Sequence, residues 1–302
     1  MNKSVLIIDD EQTQVRSLEK ALREKLPDVN FIPVHAEDEI LYAVENKFYS
    51  LAIVDLRMGK YKFDGIEIMQ KIININPFAK IIVISAFTQE YIGILKTFML
   101  AGKILDVIEK EEFKTWITKI TNAIKQYYQT ASEDSSLLQS ALLQYYAEAK
   151  NEQDTYIKGE RFENFVGLLF GNIGYKDIKR RITDESRNEI DLIVRNEIDD
   201  LFLNKLGDYF LIECKNKPNE NVGKNDFIVF FSKLEKTNGL ARFGFLFTSG
   251  YIAKTTYIEA VRTSDKSQKI VFFSNSEIER LIKAGDIRSE FKNIIDEQVK
   301  DN

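Results

Sequence analysis

Two acidic residues and a lysine in the second half of the chain have the spacing of a cation-binding site. Asp191 interrupts an apolar, strand-like run, while Glu213 and Lys215 end a second such run. Side chains on a strand alternate between its two faces, so Glu213 and Lys215 point the same way. If the two strands pair, Asp191 can join them on one surface. The pattern therefore indicates a site that could hold a divalent cation with a water molecule beside it.

The same three residues also have a purely structural explanation. Glu213 and Lys215 could form a surface ion pair on an edge strand, with Asp191 in a turn. Asp191 interrupts an apolar run, however, and burying a carboxylate without a partner is costly. The catalytic interpretation is therefore favoured, and the structural one stays open.

A second set of polar residues follows the apolar runs of the first half. These residues are Asp9, Asp10, Asp55, Ser85 and Lys110. In a parallel sheet, a ligand site lies beyond the carboxyl ends of the strands. Three carboxylates there repel one another unless a cation lies between them, and an all-oxygen ligand set suits Mg²⁺. The lysine and the hydroxyl would bind a phosphoryl group at the same place.

The elements that must position this second set alternate along the first half. Apolar, strand-like runs alternate with amphipathic stretches, which is typical of a parallel sheet covered on both faces. The predicted strands are 4–9, 30–34, 51–55, 80–85 and 104–109, and the predicted helices are 12–26, 37–46, 64–75, 88–101 and 113–128. The first half is therefore predicted to be an α/β domain with a doubly wound, five-stranded parallel sheet.

With these positions in order, residues 1–127 resemble a response-regulator receiver domain. The resemblance implies that Asp55 accepts a phosphoryl group from a partner histidine kinase or phosphotransfer protein. Ser85 and Lys110 would then contact the phosphoryl oxygens and operate the switch. The implied Mg²⁺ ligands are Asp9, Asp10, Asp55 and the backbone carbonyl of Arg57.

Two positions depart from the receiver pattern. Glu111 replaces the proline that usually follows the lysine, and Val107 stands where the family often has an aromatic residue. The first departure concerns the cis peptide that is common before that proline in the family. The second concerns switching through a rotating aromatic ring. The alternative reading is a pocket that keeps the receiver shape without being phosphorylated.

A connector joins the two halves. Residues 129–136 are polar and small, which predicts a hinge. Residues 137–149 then place leucine, alanine and tyrosine on one helical stripe. That helix either dimerises or transmits a signal, or it packs on the second half of its own chain. The predicted domains are 1–127, a helical linker at 128–152, and 153–302.

The second half combines helices and strands in a recognisable order. A helix at 156–170 is followed by strands at 175–183, 189–194 and 209–214, and then by helices 225–237, 255–263, 277–284 and 290–299 and strands 243–250 and 269–274. This order resembles the restriction-endonuclease-like nuclease fold of the Mrr type. The matching segments are GERFENFVGLLFGNIGY (159–175), NEIDLIV (188–194) and FLIECKNK (210–217). The resemblance implies an α/β domain with a mixed sheet.

The nuclease resemblance also implies a role for each residue of the site. Asp191 and Glu213 would bind Mg²⁺, or Mn²⁺, together with the carbonyl of Cys214. Lys215 would position or deprotonate the attacking water and stabilise charge on the scissile phosphate. Glu163 would be a second metal ligand or a hydrogen-bonding support.

Other polar residues of the second half have less specific interpretations. The acidic insertion 196–208 could gate the site or bind a partner. Six basic residues could form a rim that follows a phosphate backbone, although each alone is more simply a solvated surface charge. They are Lys217, Lys224, Lys233, Lys236, Arg242 and Lys254.

Charge and composition limit the possible partners. The first 127 residues carry 17 Lys and Arg against 18 Asp and Glu, and the remainder carry 25 against 29. Neither part is a basic domain, so contact with a polyanion must be local, assisted by a metal, or dependent on assembly. The single cysteine excludes an internal disulfide and a cysteine-based zinc site. Without an apolar run of membrane-spanning length or an apparent signal peptide, we expect a cytoplasmic protein that does not contact membranes.

These features together predict a nuclease under the control of a phosphorylated receiver. Phosphorylation would change the receiver surface and promote homodimerisation or release the second domain, which would then cleave nucleic acid, with DNA the expected substrate. A role in phage defence or stress is one expectation. The alternative is an inactive nuclease fold that only binds DNA or protein.

Overall fold

The computed structural model describes residues 3–86, 88–133, 135–183 and 189–301. The chain divides into two units, Met1–Ser135 and Ser136–Asn302. The finer limits expected from the sequence, with a separate linker at 128–152, stay a prediction.

The first unit is built on a five-stranded parallel sheet in the order β2-β1-β3-β4-β5. The strands are β1 (Ser4–Ile8), β2 (Asn30–Val34), β3 (Leu51–Asp55), β4 (Lys80–Ser85) and β5 (Ile104–Glu109). The helices are α1 (Gln12–Lys25), α2 (Glu37–Asn46), α3 (Gly65–Ile75), α4 (Thr88–Leu100) and α5 (Phe113–Glu133). The predicted doubly wound sheet is confirmed.

Residue alternation along β1 shows why this sheet is covered on both faces. Leu6 and Ile8 belong to one buried apolar cluster, whereas Val5 and Ile7 belong to another. Because successive side chains point to opposite faces, a fully apolar strand needs helices on both sides. Both faces of the sheet are accordingly buried at β1.

Helix α6 (Ser135–Asn151) follows α5 after a single residue. Most of the predicted hinge at 129–136 is therefore helical, because α5 continues to Glu133; residue 134 lies outside the described residues. Within the second unit, the ring of Tyr146 stacks on that of Phe165 at 4.9 Å between centroids. Of the two predicted roles for this helix, the structure shows packing on the second half of its own chain.

Polar contacts fasten the C-terminal end of α6. The Asn216 side-chain amide donates to the carbonyls of Ala149 and Lys158, at 2.8 Å each. The Tyr146 hydroxyl donates to the Asn275 side chain at 2.9 Å. This end of α6 is thus joined to two separate segments of the second unit.

The second unit contains a mixed sheet in the order β12-β10-β8-β7-β6. Strands β6, β7 and β8 are antiparallel, whereas β8, β10 and β12 are parallel. The main strands are β6 (Ile178–Thr183), β7 (Glu189–Arg195), β8 (Tyr209–Lys215), β10 (Ala241–Thr248) and β12 (Lys269–Phe273), with a short parallel pair β9 (Asn221–Val222) and β11 (Tyr251–Ile252). The helices are α7 (Thr155–Ile173), α8 (Lys224–Glu235), α9 (Lys254–Arg262), α10 (Asn275–Lys283) and α11 (Ile287–Asp301). The predicted mixed α/β sheet is confirmed.

Aromatic residues fill the core of the second unit. The ring of Phe247 on β10 stacks on Phe273 of β12 at 4.4 Å between centroids, and Phe170 of α7 lies 5.8 Å from Phe247. Aromatic side chains bury large apolar areas and dominate core energetics. This core joins α7 to β10, the strand that pairs with β8.

Two candidate metal centres

Three carboxylates meet at the carboxyl ends of the first sheet. Ligand oxygens of Asp9, Asp10 and Asp55 all lie within 4.8 Å of one another. Asp9 and Asp55 are buried, so their repulsion is poorly screened by solvent. Among the described residues, no other three acidic, histidine or cysteine side chains come together in this way. The all-oxygen set fits the ligand preference of Mg²⁺.

Lys110 supplies the positive charge in this pocket. Its Nζ donates to Asp9 Oδ2 and Asp55 Oδ2, at 2.8 Å each, and to Gln14 at 2.9 Å. Burial raises the pKa of Asp55, and the Lys110 charge only partly offsets this effect. Burial lowers the pKa of Lys110, but Asp55 and Asp9 more than compensate, so the lysine stays protonated. Gln14 had no signal in the sequence beyond its place at the start of a helix.

The backbone around Asp55 is closely packed. The Arg57 N–H donates to Asp55 Oδ1 at 3.4 Å, and the role of the Arg57 carbonyl stays a prediction. A Cβ on Gly65 would lie 2.2 Å from the Asp55 carbonyl oxygen, so this position requires glycine. Ser85 is fully buried at the end of β4, and its carbonyl accepts from the Lys110 N–H at 3.0 Å.

Sequence reasoning missed Lys60, which lies in the loop after β3. Its backbone N–H donates to Asp10 Oδ2 at 3.2 Å, and its Nζ contacts the Asp10 carbonyl and the Glu11 carboxylate. A lysine in an irregular loop carries no periodic signal. At the two positions that depart from the receiver pattern, the Lys110–Glu111 peptide is trans and Val107 is half-buried.

The second centre forms where β7 and β8 run side by side. The Cys214 backbone N–H donates to Asp191 Oδ2 at 2.6 Å, which places Asp191 next to Glu213. The β7–β8 ladder runs from Arg195–Tyr209 to Leu192–Ile212, so the two acids follow its last pair. The role of the Cys214 carbonyl as a ligand stays a prediction. Residues 184–188, including the first residue of the 188–194 segment, lie outside the described residues.

Two lysines bind the buried carboxylate of Glu213. Lys215 Nζ donates to Oε1 at 2.7 Å, and Lys233 Nζ donates to Oε2 at 2.8 Å. Lys233 also donates to the Glu189 carbonyl at 2.7 Å, and its side chain is only 14% exposed. The interpretation of Lys233 as a solvated surface charge is therefore wrong, because α8 directs it onto Glu213.

The other basic residues of the predicted rim point elsewhere. Lys217 lies 3.9 Å from Glu220, and Lys224 pairs with Glu259 at 2.9 Å. The remaining members, Lys236, Arg242 and Lys254, are exposed. As individual residues they fit solvated charges.

Glu163 on α7 is paired with an arginine. Arg181 Nε donates to its Oε2 at 2.9 Å. Burial raises the pKa of Glu163, and Arg181 opposes the rise. In the described residues Glu163 does not complete a three-carboxylate group with Asp191 and Glu213. Of its two predicted roles, this geometry favours the hydrogen-bonding support.

Burial and mutual repulsion shift the acid–base properties of the second centre. Burial, and then the charge of Glu213, raise the pKa of Asp191 to about 7. Burial lowers the pKa of Lys215, but the Glu213 carboxylate outweighs it and the pKa is raised overall. Lys215 therefore keeps its proton and suits the stabilisation of negative charge better than proton abstraction. Oxygen donors beside two lysine side chains fit a hard cation that binds together with a phosphate.

The insertion 196–208 lies at the opposite end of the two strands. It leaves the sheet at Arg195 and returns at Tyr209, whereas Asp191 and Glu213 lie four residues along each strand from those points. At about 3.3 Å per residue this is a separation of about 13 Å. Asp200 within it pairs with Lys292 of α11 at 2.8 Å. The insertion therefore lies away from the two acids, and its predicted roles in gating the site or binding a partner stay predictions.

Comparisons with known proteins identify both halves. A family model of the response regulator receiver domain matches residues 5–121, and a restriction endonuclease family model matches residues 155–282. A search of curated proteins gave no match.

Several solved structures are similar to part of the chain. A structure titled adenylate cyclase from Rhodopirellula baltica is 22% identical and covers 45% of this chain and 98% of its own, with a TM-score of 0.35. A CheY-like receiver domain protein from Methanospirillum hungatei JF-1 is 21% identical to this chain. It covers 43% of this chain and 99% of its own, with a TM-score of 0.35. The response regulator TrrA from Thermotoga maritima, in complex with Mg²⁺ and BeF, is 23% identical to this chain. It covers 40% of this chain and 98% of its own, with a TM-score of 0.33.

The matched segments show that the chain contains two domains, of which the first is a response regulator receiver domain. The second is a restriction endonuclease domain, which follows the receiver in the same chain. None of its described helices has the length and apolar character needed to cross a bilayer.

Proposed function

We propose that phosphorylation of Asp55 controls Mg²⁺-dependent cleavage of phosphodiester bonds by the second unit. The observation that carries the proposal is the geometry at the ends of β7 and β8. Asp191 and Glu213 lie side by side there, with Lys215 and Lys233 on the two oxygens of Glu213. A site that had lost its catalytic function would have no chemical need for this set of charges.

The receiver pocket supports the phosphorylation step. An oxygen of Asp55 would bond to phosphorus as the N–P bond of a partner phosphohistidine breaks. Lys110 already binds Asp55 at 2.8 Å and would transfer its hydrogen bond to a phosphoryl oxygen. The phosphoryl group adds nearly two negative charges, which can bias the receiver between two surface conformations.

The second centre supports hydrolysis of a phosphodiester. Asp191 and Glu213 would hold Mg²⁺, or Mn²⁺, which when bound lowers the pKa of water and polarises the phosphate. Lys215 would donate to a non-bridging phosphate oxygen as negative charge develops there. Glu163 would keep Arg181 in place beside Asp191.

The finer parts of the proposal concern substrate and biology. DNA is the proposed substrate, and a phosphorylation-dependent homodimer with two sites would permit double-strand cleavage. A cytoplasmic location and a role in phage defence or stress complete the proposal. An inactive binding module remains the competing function and predicts no cleavage.

A nicking assay on supercoiled plasmid tests the enzyme. The full chain with beryllofluoride, a phosphoryl mimic, and Mg²⁺ should cleave, while EDTA or Lys215→Ala should abolish cleavage. Lys205→Ala, at an exposed lysine of the 196–208 insertion, is the matched control and should keep activity. A folded, activated protein that cleaves neither DNA nor RNA would establish the binding module instead.

A second comparison tests the control step. Nuclease activity and oligomeric state are measured with and without beryllofluoride for the native chain and for Asp55→Ala. The native chain should respond and the variant should not. Equal responses of the two proteins would contradict phosphorylation control while leaving the nuclease proposal intact.

A further inference from the structure

Arg181 has a backbone conformation that is uncommon outside glycine. It lies in β6, the edge strand next to β7, and has a φ of 47°. The β6–β7 ladder pairs Arg180 with Leu192 and then Ile182 with Ile190, so Arg181 falls opposite Asp191. Such irregularities are frequent at sheet edges beside active sites, where they redirect a side chain. Arg181 thus lies at the sheet edge opposite the candidate metal ligand Asp191, in a backbone conformation that redirects its side chain.

The guanidinium of Arg181 is held from two sides. Nε donates to Glu163 at 2.9 Å, and Nη1 donates to the Tyr156 hydroxyl at 2.7 Å. The guanidinium carbon also lies 5.0 Å from the centre of the Tyr156 ring. A guanidinium carries five N–H donors, and these two bonds use two of them. The group is therefore oriented in advance and still able to bind an anion.

Exposure separates Arg181 from Lys233, and its planar guanidinium separates it from both lysines of the site. Lys215 and Lys233 both neutralise Glu213, and Lys233 is largely buried. Arg181 is 30% exposed, so a ligand can reach it. The second half is acidic overall, so affinity for a polyanion must come from locally placed cations. An oriented, accessible guanidinium matches the geometry of phosphate oxygens.

We propose that Arg181 binds a backbone phosphate of the nucleic-acid strand that enters the site. The proposal rests on the proposed nuclease function and names a substrate contact for it. Glu163 and Tyr156 act as positioning residues that keep the guanidinium in this orientation.

The test compares binding of a short DNA duplex in a Lys215→Ala background, so that cleavage does not interfere. Arg181→Gln should weaken binding on the order of tenfold at low salt, since a charged hydrogen bond is lost. It should also lower the slope of log affinity against log salt by about one. In the native background, KM should rise more than kcat falls. Arg195→Gln, at an exposed arginine paired only with Glu197 among the described residues, is the matched control and should change none of these.

Different results test the Arg181–phosphate contact and the nuclease function on which it rests. An unchanged salt slope and affinity in a folded Arg181→Gln protein would overturn the phosphate contact, even if the native chain cleaves DNA. A native chain that binds DNA but never cleaves it would overturn the nuclease function and leave the contact supported. If the glutamine variant does not fold, Arg181→Lys is tested instead and should keep the salt slope but bind DNA severalfold more weakly. Full affinity of the lysine variant would contradict the role of the guanidinium geometry.

Discussion

Asp191 is expected to destabilise the metal-free protein at neutral pH. Burial and the charge of Glu213 raise its pKa from 3.8 to about 7. A carboxyl with a raised pKa in the folded state holds its proton more tightly when folded, so its ionisation opposes folding. The cost is absent well below pH 3.8 and grows as pH rises towards 7. Asp191→Asn removes this cost, while its amide oxygen can still accept from the Cys214 N–H.

The size of the effect follows from the pKa shift. Each pKa unit corresponds to about 1.4 kcal/mol. The shift of Asp191 therefore gives a cost of about 4 kcal/mol at pH 8 and about 2 kcal/mol at pH 5. These values are upper limits for the substitution, because an asparagine amide accepts hydrogen bonds less strongly than a carboxylate.

Denaturant unfolding of the full chain in EDTA, at pH 5 and pH 8, measures the effect. The second unit of Asp191→Asn should gain more stability at pH 8 than at pH 5. Asp199→Asn removes the same charge from an exposed side chain of the same unit and should change little at either pH. Added Mg²⁺ should stabilise the second unit of the native chain but not that of Asp191→Asn, because a ligand stabilises only the state that binds it.

Two results would refute this reasoning. Asp191→Asn could leave the second unit equally or less stable at pH 8, which would mean that ionised Asp191 costs nothing in the folded protein. Alternatively, the gain could be the same at both pH values, which would mean that it does not come from titration.

Three further substitutions probe the second unit. Lys233→Met should lower the free energy of unfolding by about 3 kcal/mol in urea titrations, because it removes one partner of a buried carboxylate; the exposed Lys236→Met should not. Gly250→Ala should cost about 2 kcal/mol or more in the same titration, since its Cβ would lie 2.2 Å from the Lys217 carbonyl oxygen. Asp200→Asn should cost about 1 kcal/mol and leave the cleavage rate unchanged, because the insertion lies far from the metal ligands. A loss of cleavage without loss of stability would support the gating hypothesis instead.

Strand alternation made the first unit and the core of each site predictable. The five strands of the first sheet were predicted to within one residue, because apolar runs buried on both faces have few alternative structures. The same alternation placed Glu213 and Lys215 on one side of β8, and their contact at 2.7 Å follows from it. Residues within one strand are related by a fixed period of two.

The residues that other elements bring to the site could not be predicted from strand alternation. Lys233 reaches Glu213 from α8, and its distance along the chain carries no information about the packing of that helix on the sheet. Arg181 departs from the regular dihedral angles of a strand, and no residue type in its segment predicts this. The position of the insertion 196–208 could have been deduced, because a hairpin connection must lie beyond the last pair of its strands.

The attachment of α6 decides which part of this chain could be transferred to another sensor. Asn216 follows directly after Lys215 and holds the carbonyl of Ala149, while Tyr146 stacks on Phe165. A fragment of the second unit that began at residue 153 would lose these contacts and expose an aromatic surface to water. The portable module therefore begins with α6 at Ser135, and a new input domain should be joined before this helix.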